Sequence, residues 1–381
     1  MDRQSKRQLK DLANRETYEQ MKSRKQTSKL RRAAKGKGEA RRKDYTEDNW
    51  ENLLDQHGRP RSGRPNVDEV QTNAGGILAD ADYDGAAIVI SVASGRCRVF
   101  HDHREIDCII PAEIAVRQKS ALTVGDRVRI AEESGVTTIA EVLPRRSVLA
   151  RPDPLHAHRQ RLIAANIDVV IHVVSVKAPP LRPRLIDRYL IAIARGGARA
   201  VICANKIDLL EGDERSTELS KLDPYRDLGV PVIACSTRTG EGLDELRSLV
   251  TGKTSALVGH SGVGKSSILN ALDETLQIAT NTLHRRGTGR HTTTASTLFD
   301  FGDGTYLIDT PGIREFGLWD LDRDSLRGYF PEFQEPADSC RFNDCTHVHE
   351  PDCEVKDRVE RGQINRARYD TYVRLYNDLE K

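Results

Sequence analysis

Aromatic residues are scarce in this chain of 381 residues, at 5% of the total with only two Trp. A surface that grips its partner by ring stacking alone is therefore not expected. Long apolar runs are missing as well. The longest, 167–176, falls well short of the ~20 residues needed to cross a bilayer, so no membrane partner is expected. The N-terminus has no apolar core of the signal-peptide kind, and its acidic residues argue against an organelle transit peptide. Cysteines number seven, an odd count in a long chain without an export signal. These absences suggest a cytoplasmic protein with reduced thiols, in which a cysteine cluster reads as a metal site before a disulfide.

Net charge is low too, at +2, but unevenly spread. Residues 1–43 carry 16 Lys/Arg against 5 Asp/Glu, and the remainder is mildly acidic. Lys and Arg release counterions when they meet a phosphate backbone, so the arm suggests a polyanionic partner, with a solvated tail as the plainer reading. Residues 1–70 lack the branched apolar residues that a core requires. A Gly/Pro/Arg linker follows at 58–65.

From about 74 to 143 short β-rich runs alternate with glycine turns, at 75–80, 87–92, 97–99, 127–130 and 137–142. Five short strands predict a small barrel, with an OB-fold the leading candidate. Its only aromatics are Tyr83 and Phe100, so phosphate and shape contacts should outweigh stacking. Between 151 and 319 strands at 167–176, 198–204, 230–235 and 254–258 alternate with helices at 185–195, 216–228 and 243–251. That alternation predicts a parallel sheet covered by helices. Runs at 296–301 and 305–308 flank Gly302 and Gly304 and read as a hairpin. After Trp319 the chain is charged, with a cysteine–histidine cluster and a helix near 355–379.

The residues Gly259, His260, Ser261, Gly262, Val263, Gly264, Lys265 and Ser266 fit the P-loop pattern, followed by Ser267. A strand precedes them and a helix should open at 265–272. Glycines let backbone N–H groups turn inward around phosphates, and the helix start adds its positive end. Lys265 is placed to reach the β- and γ-phosphates, and Ser266 to ligate Mg²⁺.

This motif alone indicates a nucleotide triphosphatase. Asn205, Lys206, Ile207 and Asp208 supply the base. A carboxylate at Asp208 accepts from guanine N1–H and its 2-amino group, whereas adenine offers no such donor pair. Lys206 can lie along the base, and Asn205 can tie this loop to the P-loop. Ser236 and Thr237, at the end of the next strand, resemble a base-supporting loop, or else cap a helix. Asp309, Thr310, Pro311 and Gly312 fit the D-x-x-G switch II pattern, with Asp309 on a Mg²⁺ water and the Gly312 N–H toward the γ-phosphate. Between P-loop and switch II, 287–294 is polar and Gly-rich, as switch I should be. One of Thr292, Thr293 and Thr294 should complete the Mg²⁺ site, with Thr293 favoured. Ile313 stands where Ras-like enzymes carry a water-orienting glutamine. Intrinsic hydrolysis should be slow, and His291 is the nearest polar substitute, unless it is a plain loop histidine.

The base motif precedes the P-loop, the reverse of the Ras-like order, so the G domain is circularly permuted. Switch II then leads directly into the C-terminal region. There Cys340, Cys345, His347 and Cys353 match a structural, tetrahedral Zn²⁺ site, with His349 a rival to His347. The pairs His101/His103 and His156/His158 lack cysteine partners and read as surface histidines. Cys97, Cys108, Cys203 and Cys235 lie in apolar runs and read as core.

Together these residues resemble the circularly permuted, small-subunit-dependent GTPase family RsgA/YjeQ. The likeness rests on 205–208 preceding 259–266, on Gly289-Arg-His-Thr-Thr-Thr294, on the run 309–317, on the linker 143–152 and on the cysteine–histidine cluster. It implies three folded parts: an OB-fold β-barrel, a circularly permuted α/β P-loop GTPase domain and a C-terminal helical zinc-binding domain. The expected divisions are a basic arm at 1–72, the barrel at 73–148, the G domain at 149–319 and the zinc and helical domain at 320–381. The resemblance also implies late maturation of the 30S subunit, contact with 16S rRNA, GTP and GDP as ligands, and stimulation by the subunit. It further implies a monomer and a catalytic part for His291. The residues by themselves leave open a GTPase for the 50S subunit, or an RNA scaffold that holds GTP with little turnover.

Overall fold

The computed structural model describes residues 82–117, 122–152, 160–272, 296–310 and 321–379. The first unit is a barrel of β1 (Ala87–Ala93), β2 (Arg96–His101), β3 (Arg104–Ile109), β4 (Arg127–Glu133) and β5 (Val136–Val142), with a short helix α1 (Ala112–Arg117) after β3. Strand order is β1-β2-β3-β5-β4, closed by β1 against β4. Alternation puts Val89, Val99, Val128 and Ile139 inside. Strand β3 is an addition to the sequence reading. Only Cys108 of its six residues is buried, so its charged pattern carries little strand signal. The run expected at 75–80 lies outside the described residues.

The segment read as a linker forms half of a two-stranded sheet, β6 (Val148–Pro152) with β7 (Gln160–Ala165). It is fastened at its start. Arg145 makes a two-point ion pair with Asp126, Nε to Oδ1 at 2.6 Å and Nη2 to Oδ2 at 2.8 Å, both side chains being buried. The Asn166 side chain accepts from Tyr83 and the Arg146 N–H and donates to the Gly125 carbonyl. Gly125 must be glycine, because a Cβ there would lie 2.1 Å from the Ala165 carbonyl oxygen. One apolar cluster then runs from Ile88 in the barrel through Leu149 and Ile163 to Val170 and Ala256.

Next come β8 (Val169–Ser175), α2 (Pro183–Arg195), β9 (Arg199–Asn205), α3 (Asp213–Ser220), α4 (Asp223–Asp227), β10 (Val232–Ala234), α5 (Leu243–Val250), β11 (Thr254–Val258), α6 (Lys265–Leu272), β12 (Thr297–Asp300) and β13 (Tyr306–Asp309). They build one sheet in the order β10-β9-β8-β11-β13-β12. Pairing is parallel except in the terminal hairpin of β12 and β13. Strands β8 and β11 are wholly buried, as strands covered on both faces should be. The helix expected at 216–228 is two helices, because Pro224 begins a new one just after Leu222.

The C-terminal region holds α7 (Arg323–Leu326), α8 (Gln334–Ala337), α9 (Glu354–Glu360) and α10 (Arg366–Asp378). The single helix expected at 355–379 divides at Gly362, which takes a left-handed φ of 73°, and restarts with Asn365 capping the Arg368 N–H. Phe330, Phe333, Tyr372 and Val355 form its core, joined by Ile191 of α2. A buried ion pair also crosses to α2: Arg368 Nη1 lies 2.6 Å from Asp187 Oδ1, and its Nε lies 2.5 Å from Glu332 Oε1.

Candidate nucleotide and metal sites

Strand β11 ends at Val258, and the chain turns through three glycines with positive φ: Gly259, Gly262 and Gly264. Two of them are forced by neighbours. A Cβ on Gly259 would meet the Val173 carbonyl oxygen at 2.2 Å, and one on Gly264 would meet Asn205 Nδ2 at 2.3 Å. Val263 is buried beneath the turn, and the helix α6 begins at Lys265. The Lys265 ammonium donates to the carbonyls of Gly259 at 2.7 Å and His260 at 3.1 Å, so it folds back over the loop. Ser261, Ser266 and Ser267 are exposed at the loop and the helix start, where unpaired N–H groups and the helix dipole favour an anion.

Asp309 ends β13, next to β11 in register with Leu257. Burial raises its carboxyl pKa and lowers that of Lys265, and the charge of each offsets part of the other's shift. Thr310, which follows, is anchored through its hydroxyl to the Leu257 carbonyl.

The base motif stands at the end of β9. Asn205 Nδ2 donates to the Val263 carbonyl at 2.9 Å, and its Oδ1 accepts from the Lys206 N–H. Lys206 takes a left-handed φ of 68°, a conformation costing a non-glycine residue roughly 1–3 kcal/mol. Its ammonium donates to Gly262 O at 2.6 Å and to Ala178 O. The Asp208 carboxylate accepts from Ser236 Oγ at 2.6 Å and from Arg238 Nε at 2.6 Å. These two donors, Ser236 first, hold its pKa below the usual carboxylate value. Thr237 is half-buried beside Ser236. Two participants escaped the sequence reading: the Ala178 carbonyl and Arg238. Arg238 sits four residues before Gly242, the N-cap of α5, and no motif spacing marks it.

The arrangement thus brings the P-loop, the base motif, the base-supporting loop and Asp309 to the carboxyl edge of one sheet, where doubly wound folds bind ligands. His291, Thr292, Thr293, Thr294, Gly312 and Ile313 lie outside the described residues.

A family model described as RsgA GTPase matches residues 142–319. A protein of Sodalis glossinidius named small ribosomal subunit biogenesis GTPase RsgA is 41% identical over 271 residues, covering 69% of this chain and 78% of its own. One of Chlorobaculum parvum with the same name is 37% identical over 311 residues, covering 78% and 96%. The chain belongs to the RsgA GTPase family. It is therefore a GTP hydrolase. Among solved structures, YjeQ from Thermotoga maritima is similar with a TM-score of 0.63 at 34% identity, over 77% of this chain and 98% of that one. YloQ, described as a circularly permuted GTPase, is similar with a TM-score of 0.61 at 28% identity, over 77% and 94%. The permuted order read from the sequence agrees with that description.

The C-terminal region carries a cysteine–histidine cluster. One ligand atom from each of Cys340, Cys345, His347 and Cys353 lies within 4.8 Å of all the others. Cys340 Sγ and Cys353 Sγ are 3.9 Å apart, and they lie 3.6 and 3.5 Å from His347 Nδ1. Such separations are close to the edges of a tetrahedron whose metal–sulfur bonds are ~2.3 Å, so the four side chains can hold one metal ion. His347 is buried and His349 exposed; the rival ligand is not part of the cluster. The loop is held from outside. Glu350 accepts from the N–H groups of Thr346 and Val348 and from the Thr346 hydroxyl, and those bonds outweigh burial and hold its carboxyl at about 2. Tyr369 and Tyr372 of α10 donate to the carbonyls of His347 and Thr346 at 2.8 and 2.7 Å. The remaining cysteines, 97, 108, 203 and 235, are buried and free.

Proposed function

We propose that this GTPase acts in late maturation of the 30S ribosomal subunit, binds the subunit through its 16S rRNA and leaves after hydrolysing GTP. The observation that carries the reading is the Asn205–Val263 bond, which joins a guanine-reading loop to a P-loop in the permuted order of a family whose relatives bear the small-subunit biogenesis name. The division is an arm at 1–72, a barrel at 73–148, a G domain at 149–319 and a metal-binding helical domain at 320–381. The protein works as a monomer in the cytoplasm.

Residues 259–267 cradle the phosphates, with Lys265 turning from the loop carbonyls onto the β- and γ-oxygens. Asn205, Lys206 and Asp208 select guanine, supported by Ser236 and Thr237. Ser266, Thr293 and, through a water, Asp309 would hold Mg²⁺, which would supply neutralising charge at the phosphates. Gly312 meets the γ-phosphate. His291 orients the attacking water, because Ile313 has no hydrogen-bonding group. The ion in the cysteine–histidine cluster is Zn²⁺, in keeping with three thiolates and one imidazole.

GTP hydrolysis by the purified protein, alone and with 30S or 50S subunits, tests this reading, with His291→Ala as the comparison. Slow turnover that rises only with 30S and is lost in His291→Ala is expected. Stimulation by 50S alone would transfer the activity to the large subunit. Bound GTP that stays intact even with subunits present would make the protein a scaffold.

A further inference from the structure

Residues of the barrel, with Tyr306 of β13, line an open cleft of about 260 Å³, among them Phe100, His101, Asp102, His103 and Arg127. None of these residues belongs to the nucleotide or metal site. Arg127 opens β4, and its guanidinium carbon lies 5.7 Å from the Tyr83 ring centroid and 5.9 Å from that of Tyr306. Its Nε is buried and has no hydrogen-bond partner among the described residues. Burial lowers its pKa, against a partial upward pull from nearby groups that include Asp168. Asp168 is engaged elsewhere, accepting from the Thr254 N–H at 2.8 Å.

Arg127 is only partly buried, but its Nε is shut off from water without an acceptor, an arrangement that costs stability and is rare in folded proteins. Replacing Arg127 by an apolar residue of similar length would remove that cost. Its position at a cleft is consistent with a ligand that brings the missing acceptor. The rest of the cleft indicates what else that ligand has. Phe100 meets Tyr306 and His103 edge to face, each pair with centroids 6.4 Å apart. His103 is exposed and has a left-handed φ of 61°, directly after Asp102 with 47°. The tight turn thus holds an imidazole at the mouth of the cleft. A nucleotide carries both an anionic acceptor and a flat ring, whereas an acidic side chain carries only the first.

We propose that this cleft receives one nucleotide of a single-stranded RNA segment, with a phosphate oxygen on Arg127 and the base against Phe100 and His103. The assignment rests on the rRNA-binding reading above and adds a particular point of contact.

The test uses the full chain and a single-stranded oligouridylate substituted with thiouridine, crosslinked by light and mapped by mass spectrometry. Crosslinks at Phe100, His103 or Tyr306 are expected. Arg127→Met should lower their yield by about fivefold or more, the smaller end of the cost of one lost polar contact. Its Tm should equal or exceed that of the parent, which a structural cation would not allow. His103→Ala, at an exposed position that cannot unfold the barrel, should lower the yield as well.

Crosslinks that avoid the cleft, or that are unchanged in both variants, overturn the proposal. So does an oligoglutamate peptide that protects the cleft where unlabelled oligouridylate does not. Co-sedimentation with 30S subunits separates the two readings. If the parent fails to sediment, the rRNA reading fails. If the parent and Arg127→Met sediment alike and the cleft gives no crosslink, only the cleft assignment fails.

Discussion

Asn205 reaches across the sheet to donate a hydrogen bond to the carbonyl of Val263, 2.9 Å away and 58 residues later in the chain. The base loop and the phosphate loop are therefore one mechanical unit. Asn205→Ala leaves the buried Val263 carbonyl without its donor, a loss of about 1–3 kcal/mol. Affinities for GTP and GDP should fall together, by roughly tenfold to a hundredfold, because the bond joins the two loops whichever nucleotide is bound. Titration with fluorescent nucleotides measures both; a loss confined to GTP would contradict this account.

The Asp208 carboxylate carries a pH prediction. Ser236 and then Arg238 depress its pKa, so the charged form proposed to read guanine persists to low pH. A depressed folded pKa means that the interaction is present above the ordinary carboxylate value and is lost as pH falls through the lowered one. GDP affinity should stay flat from neutral pH down to about pH 5. Ser236→Ala removes the stronger of the two hydrogen-bond donors, so its loss of affinity should begin at higher pH. Calorimetric titration across that range reads the difference.

Removal of the metal should loosen the C-terminal core rather than the G domain. Cys345, His347 and Cys353 are buried against the same cluster as Tyr369 and Tyr372. A strong chelator should abolish the near-ultraviolet signal of those tyrosines while nucleotide binding persists. Native mass spectrometry should find one metal per chain, lost in Cys345→Ser and retained in His349→Ala. Equal loss in the two variants would mean that the ligand set is misassigned.

Arg368 and Asp187 pin α10 to α2. Arg368→Ala strands a buried carboxylate and should cost about 3–5 kcal/mol. Burial already pushes Asp187 up to about 6, and loss of the cation pushes it higher. A raised folded pKa gives stability that is complete below the unfolded value and is lost as pH rises through the folded one. The variant should therefore melt at higher temperature near pH 5 than near pH 8, by a wider margin than the parent. Melting curves at the two values decide it.

Much of this was legible in the sequence, for physical reasons. The strand Thr254–Val258 and the helix Lys265–Leu272 were read with the same bounds, because an apolar run meeting a glycine loop allows few other conformations. The four members of the cysteine–histidine cluster were legible from spacing. Strand β3 was not, since its turn uses Asp102 and His103 in left-handed conformations that glycine or asparagine would have advertised. The β6 strand was read as linker, because its partner β7 comes only after a further stretch of chain. Arg238 and Arg127 were missed for a common reason. Each matters through a neighbour far away in sequence, Asp208 in one case and the rings of Tyr83 and Tyr306 in the other.

The strand order β10-β9-β8-β11-β13-β12 also bears on how the chain comes together. Strands β8, β9 and β10 are neighbours in sequence and can pair early. Strand β11 must then fill the other side of β8, closing a loop from Asp168 to Thr254, 86 residues apart. Until it does, the most apolar strand of the sheet offers an open edge, the kind of surface on which nascent chains aggregate. The half of the sheet that carries Asn205 can therefore form before the half that carries Gly259 exists, and the arrival of β11 is what protects it.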